Sequence, residues 1–220
     1  MSWSIKKIRL SGGRENLSLC LAKGDPIDLA RVWAGVAWPG EREGAMVLLA
    51  QSQEGKVWVL DEAYSLMWQG LAAKLAVCLA NEGLSRVYHQ EDDFGLAFRE
   101  RVNRYVREHG LTVRDGWGGR KTIPFSDAPF WQRPEFAVQV VRDWFKPEQM
   151  TVLAGAKRLK DEIRQAAAMS LEEAARAWEE LPGWQGLCHC LGGMDVCKLG
   201  QEKRVGEELW EKPGDERTGF

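Results

Sequence analysis

The strongest periodic signal in the chain begins at Arg31. Val32 to Trp38 is an apolar run rich in strand formers, and it stops at Pro39-Gly40, a turn signal. Glu41 to Glu43 fill the turn, Ala45 to Ala50 form a second apolar run, and Gln51 to Lys56 are polar around Gly55. Val57 to Leu60 is a third strand that leaves through Asp61-Glu62. Three strands joined by tight turns predict an antiparallel meander. The period then changes. Leu71, Leu75, Cys78 and Leu79 recur at helical spacing, with Gly83 where a C-terminal cap belongs. Arg86 to His89 reads as a short strand running into Glu91-Asp92-Asp93, Leu96 to His109 as an amphipathic helix closed by Gly110, and Leu111 to Val113 as a further strand. Helices between strands imply parallel pairing there, so the predicted order is β-β-β-α-β-α-β.

The flanks are less regular. Before the meander, Ile8 to Leu10 and Leu17 to Leu21 can pair as a hairpin across Gly12-Gly13, and Asp25-Pro26 breaks the chain. Residues 1–28 therefore read as a lead-in arm. Residues 114–134, rich in Gly, Pro and Trp, read as a long loop without a phosphate-binding GxxxxGK[ST] pattern. Pro134 to Phe145 is predicted helical, Met150 to Ala154 a strand, and Lys157 to Met169 a charged amphipathic helix. Ser170-Leu171-Glu172-Glu173 opens another helix with a capping-box pattern. Leu187 to Leu191 reads as a short helix ending at Gly192-Gly193, and 200–220 as a charged, flexible tail. The main domain is thus expected over 29–199.

Composition narrows the classes. The 220 residues, 45% hydrophobic and 28% charged, suffice for one sizeable core. A net charge of −2 supplies no global basic field, so a nucleic-acid site must be local or use metal ions. No apolar run reaches the ~20 residues that span a bilayer, and Met1 to Arg9 lacks the apolar stretch of a secretory signal. Five cysteines, an odd number, fit reduced thiols and a cytoplasmic location. Eleven tryptophans sit mostly in periodic apolar segments, as core residues do.

The stretch "VWAGVAWPGEREGAMVLLAQSQEGKVWVLDEAY", residues 32 to 64, resembles the opening of the nuclease domain of phage terminase large subunits. The likeness continues through "VYHQEDD", "LTV", "MTVLAGAKRLKDEI" and "GLCHCLGG", over roughly residues 30 to 195. It implies a ribonuclease H-like α/β fold: a mixed sheet, with a three-strand antiparallel meander followed by parallel strands, flanked by helices. It further implies a two-metal DNA endonuclease in which three acidic positions hold Mg²⁺ or Mn²⁺, ions that take oxygen ligands and stabilise both attacking and leaving oxygens. Carried over position by position, Asp92 or Asp93 fits the acid at the end of the fourth strand. Ala37 stands where the first-strand acid belongs, and Gln185 near the place of the last-helix acid. The family's ATPase motor has no counterpart in this chain, and a separate ATPase subunit is among the partners the resemblance implies.

Two functions follow as expectations. One is a nuclease-type domain that has lost its chemistry and binds double-stranded DNA or phage packaging proteins. The other is a live Mg/Mn endonuclease with relocated ligands, in which Glu41 or Glu43 joins Asp92 and Glu179, Glu180 or Asp195 supplies the third acid. Asp92-Asp93 has a structural alternative as a cap for the helix near Leu96. Arg114, Arg120, Lys121 and Arg133 are the candidate DNA contacts, with Trp117 and Trp131 able to stack. Cys188, His189, Cys190 and Cys197 bring soft ligands together, but C-x-C on a helix points its members apart. Buried thiols and a packed histidine are the expectation there.

Overall fold

The computed structural model describes residues 3–9, 15–90, 95–111, 121–129, 132–146 and 148–194. Eight strands form one mixed sheet: β1 Trp3–Arg9, β2 Glu15–Leu21, β3 Ile27–Ala37, β4 Gly44–Ser52, β5 Val57–Ser65, β6 Arg86–His89, β7 Phe125–Asp127 and β8 Met150–Val152. The helices are α1 Trp68–Asn81, α2 Gly95–Glu108, α3 Pro134–Trp144, α4 Lys157–Ala168 and α5 Leu171–Arg176, then a 3-10 turn, Ala177–Glu180, and α6 over 182–194. β3, β4 and β5 are the expected antiparallel meander. β6 adds parallel to β3, and β7 parallel to β6. The spatial order β5-β4-β3-β6-β7 with this connectivity is a ribonuclease H-like α/β sheet flanked by helices.

Strand β3 is the axis of the sheet, and its sequence explains why. Val32, Ala34 and Val36 pack against α1 on one face, while Trp33 joins the helices α3 to α6 on the other. A strand buried on both sides needs an unbroken apolar run rather than alternation. One edge of β3 pairs with β4; the other is shared, with β2 at residues 27–29 and β6 at 33–36. The hairpin β1–β2, predicted from the pairing across Gly12-Gly13, thus extends the sheet by two strands.

Three sequence expectations are corrected. The strand beside β6 is Phe125–Asp127 and not 111–113; Leu111 is outside any strand, and 112–113 fall outside the described residues. The stretch 114–134 therefore contains a strand, held because Val87 N–H donates to Pro124 O and Ala128 N–H to His89 O. The last helix starts at Pro182, five residues earlier than Leu187, because proline suits the first helical turn, where its missing N–H costs nothing. The tail 200–220 lies outside the described residues. The capping box at α5 is present, with Ser170 and Glu173 bonding reciprocally.

Helix α6 crosses the sheet at very short range. A Cβ built on Gly35 would lie 1.8 Å from Gly186 O, so only glycine at 35 lets strand and helix meet this closely. Farther along, the Tyr88 hydroxyl donates to Gly193 O at 3.3 Å. The crossing fixes where the two ends of α6 lie relative to β3, and so builds the site.

Candidate functional site

At the C-terminal ends of β3 and β6 lies a cleft of about 490 Å³. Its position follows from register. Val36 pairs with His89 in the parallel β3–β6 ladder, so Ala37 and Gln90 are the next residues out on the two strands. Both continue the α6-facing side, Ala37 after Trp33 and Gly35, Gln90 after Tyr88. The Gly35–Gly186 contact then brings Gln185, the residue before Gly186, to the same place. Ala37, Gln90 and Gln185 all line the cleft, and Gln185 Nε2 donates to Gln90 Oε1 at 3.3 Å.

The walls are charged. The β3–β4 turn contributes Glu41, Arg42 and Glu43, and the segment before α6 contributes Arg176, Glu179 and Glu180. Arg42 Nη1 pairs with Glu180 Oε1 at 3.4 Å across the cleft, both side chains being well exposed. Glu43 Oε2 takes Arg158 Nη1 at 2.5 Å.

Behind the turn is a second acidic cluster. Glu62 of β5 accepts Arg158 N–H at 3.0 Å and Leu159 N–H at 2.6 Å, capping the first turn of α4. Glu162 of α4 accepts Trp184 N–H at 2.8 Å and so caps α6. Arg158 lies over the Tyr64 ring, 3.8 Å from its centroid, and its Nε is 3.5 Å from Glu162 Oε1. Burial raises the Glu162 carboxyl above its ordinary range, against the backbone bonds that hold it down. Burial, with the nearby Glu162 and Glu62, also pushes the Tyr64 phenol up.

Beneath the cleft two histidines are buried. His189 Nδ1 lies 3.0 Å from Val36 O, and its ring meets Trp178 edge-on. Burial lowers its pKa to about 4. His89 Nε2 accepts from Arg99 Nε at 3.0 Å, and Arg99 also pairs with Asp127.

Of the residues singled out by sequence, the structure brings Ala37, Gln185, Glu41, Glu43, Glu179 and Glu180 together around one cleft. Asp92, Asp93, Arg114, Trp117, Arg120, Trp131, Asp195 and Cys197 lie outside the described residues. Lys121 and Arg133 are both exposed; the Arg133 guanidinium sits 5.7 Å from the centre of the Phe136 ring. Cys188 and Cys190 are fully buried, and burial raises both thiols. Gln90 went unnoticed in the sequence, because only the strand register marks it. Glu62, Tyr64, Arg158 and Glu162 were missed as a unit, since their partners are distant in the chain.

The donors at the strand ends are poor metal ligands. Two divalent ions require clustered anionic oxygens. Ala37 offers a methyl group, and Gln90 and Gln185 offer neutral amides that bond each other. Among the described residues no three His, Cys, Asp or Glu are placed to hold a metal ion. Those residues do not fit a metal pair.

No protein-family model matches the sequence, and no curated protein sequence matches it. Among solved structures, the manganese-soaked nuclease domain of the human cytomegalovirus terminase is similar, with 8% identity and a TM-score of 0.33. The match covers 56% of this chain and 64% of that one. The ribonuclease H-like order stands on the strand pairings themselves. Among the described residues, no helix is long and apolar enough to cross a membrane.

Proposed function

We propose that this chain is a terminase-nuclease-like domain of phage or prophage origin that has lost two-metal cleavage and acts by binding during DNA packaging. The observation that carries the reading is the Gln185–Gln90 amide bond beside Ala37. Two of the positions where the terminase resemblance implies carboxylates are neutral here, and one is engaged in an amide–amide contact. Two closely spaced divalent ions would keep Asp92 and Asp93 as their family-like ligands and find too little countercharge elsewhere. Of the glutamates that line the cleft, Glu43 and Glu180 are already held by Arg158 and Arg42. The partner on this reading is a phage packaging protein, a separate ATPase subunit, or double-stranded DNA through the exposed Lys121 and Arg133.

The test is nicking of supercoiled plasmid in Mg²⁺ and in Mn²⁺. No cleavage above background is expected from the purified chain. Robust Mn²⁺-dependent nicking that disappears in Asp92→Ala would overturn the proposal and establish the alternative, a two-metal endonuclease with relocated ligands.

A further inference from the structure

We propose that the surface where α1 begins against α2 docks an acidic amphipathic helix of a partner protein; this deepens the reading of the chain as a binding domain and rests on it. The apolar part of the surface is the pair Leu66-Met67. At 74% and 62% exposure they are the two most exposed large hydrophobic residues among those described. Their exposure belongs to a pinned turn: Met67 N–H donates to Ser65 Oγ at 3.1 Å, and that hydroxyl donates to Met67 O at 2.8 Å. A turn already fixed in this way has little backbone freedom left to lose when a partner covers it. Met67 leads into Trp68, a half-buried ring that meets Tyr105 of α2 edge-on, 5.3 Å between centroids. Tryptophan, tyrosine, methionine and arginine are the side chains enriched where proteins bind one another.

The charged part is an independent observation. Helix α2 buries Val102 and Val106 and turns Arg101, Arg104 and Arg107 to solvent. The Arg101 guanidinium lies over the Trp68 ring, 5.2 Å from its centroid, which sets the arginine stripe beside the apolar turn. Arg104 and Arg107 have no ion-pair partner among the described residues. Glu100 and Glu108, one turn to either side of Arg104, are exposed and form no ion pair with it. In a chain of net charge −2 this stripe is a local cationic feature that attracts carboxylates. It suits a protein better than DNA. A duplex presents an unbroken ladder of phosphates, which would meet Glu100 and Glu108 and leave Leu66 and Met67 without apolar cover. A helix with leucines along one face and carboxylates on its flank satisfies both parts of the surface.

The experiment is a titration of the isotope-labelled full chain, followed by NMR, with an acetylated, amidated helical peptide of about 15 residues that carries leucine on one face and glutamate on its flank. The Leu66 and Met67 methyl groups and the Trp68 indole should shift saturably, with a Kd below about 1 mM. Replacing the peptide's glutamates by glutamine should weaken binding about fivefold or more, and so should Arg104→Gln combined with Arg107→Gln, two exposed changes compatible with folding. Leu66→Ser combined with Met67→Ser should weaken it to a similar degree; position 67 is the N-cap of α1, where a hydroxyl is favoured, so the fold is kept. Lys146→Glu, exposed just past α3 on the other side of the sheet, should leave binding unchanged. Absence of saturable binding, equal affinity for the glutamate and glutamine peptides, unchanged affinity in either double variant, or displacement of the peptide from these residues by a short DNA duplex each overturns the inference. Plasmid nicking on the same sample separates the two readings. Cleavage refutes the non-cleaving domain, whereas no cleavage with no peptide binding refutes the docking surface alone.

Discussion

Two neighbouring regions of this molecule treat acidic residues in opposite ways. At the ends of β3 and β6 the floor of the cleft is neutral, built from Ala37, Gln90 and Gln185. Immediately behind the β3–β4 turn, Glu62 and Glu162 each accept backbone N–H groups from the first turn of a helix. There the carboxylates work as architecture: they complete α4 and α6, and Arg158 ties them to the turn. A count of acids therefore says little about metal chemistry here. What matters is whether the oxygens point at open space or at an amide.

The contrast can be broken experimentally. Glu162→Ala should have the largest effect, about 4 kcal/mol off unfolding stability in denaturant melts, because it leaves buried N–H groups of α6 unpaired and strips Arg158 of a partner. A loss below about 1 kcal/mol would mean that Glu162 is not the cap of α6.

The second test is pH, where the two regions carry opposite signs. His189 titrates near 4 in the fold and near 6.5 unfolded. Below about 6.5 the unfolded chain binds the extra proton, so stability falls as pH drops from 6.5 toward 4, by about 3 kcal/mol in all. Glu162 has a raised folded pKa. The folded state then binds the extra proton, and this group's contribution improves as pH falls through the window between its raised and ordinary values. His189→Asn, which keeps a donor for Val36 O, should flatten the acid-side loss in thermal melts. Glu162→Gln should steepen it.

Glu62→Ala follows at about 2 kcal/mol, since its α4 cap is partly open to water. Gln185→Ala should be the mildest, below about 1 kcal/mol, because one amide–amide bond at 3.3 Å on a cleft floor contributes little to folding. A loss from Gln185→Ala as large as that from Glu162→Ala would erase the distinction between the two regions.

Much of the frame was legible in the sequence. The run Val32–Trp38 announced a strand, the change of period at Leu71 announced α1, and Ser170 with Glu173 announced the cap of α5. Ala37 and Gln185 were identified as neutral substitutes from the terminase resemblance, and the structure places them in one cleft. What escaped has physical causes. β7 is three residues long, so it has no room for a period and is defined only by its ladder to β6. Gln90 is marked by parallel register, which no local pattern encodes. Glu62 caps a helix 96 residues away, and a cap supplied across the fold leaves no capping signature beside the helix it serves.

The contact between Gly35 and Gly186 carries a consequence for how such a cleft changes. With backbone against backbone, the strand cannot draw nearer to the helix, and any side chain at 35 would force them apart. The gauge of the socket is therefore set, and its chemistry is interchangeable. A designer who wants a different cleft must exchange the side chains at 37, 90 and 185, because the crossing beside them has no room to tighten.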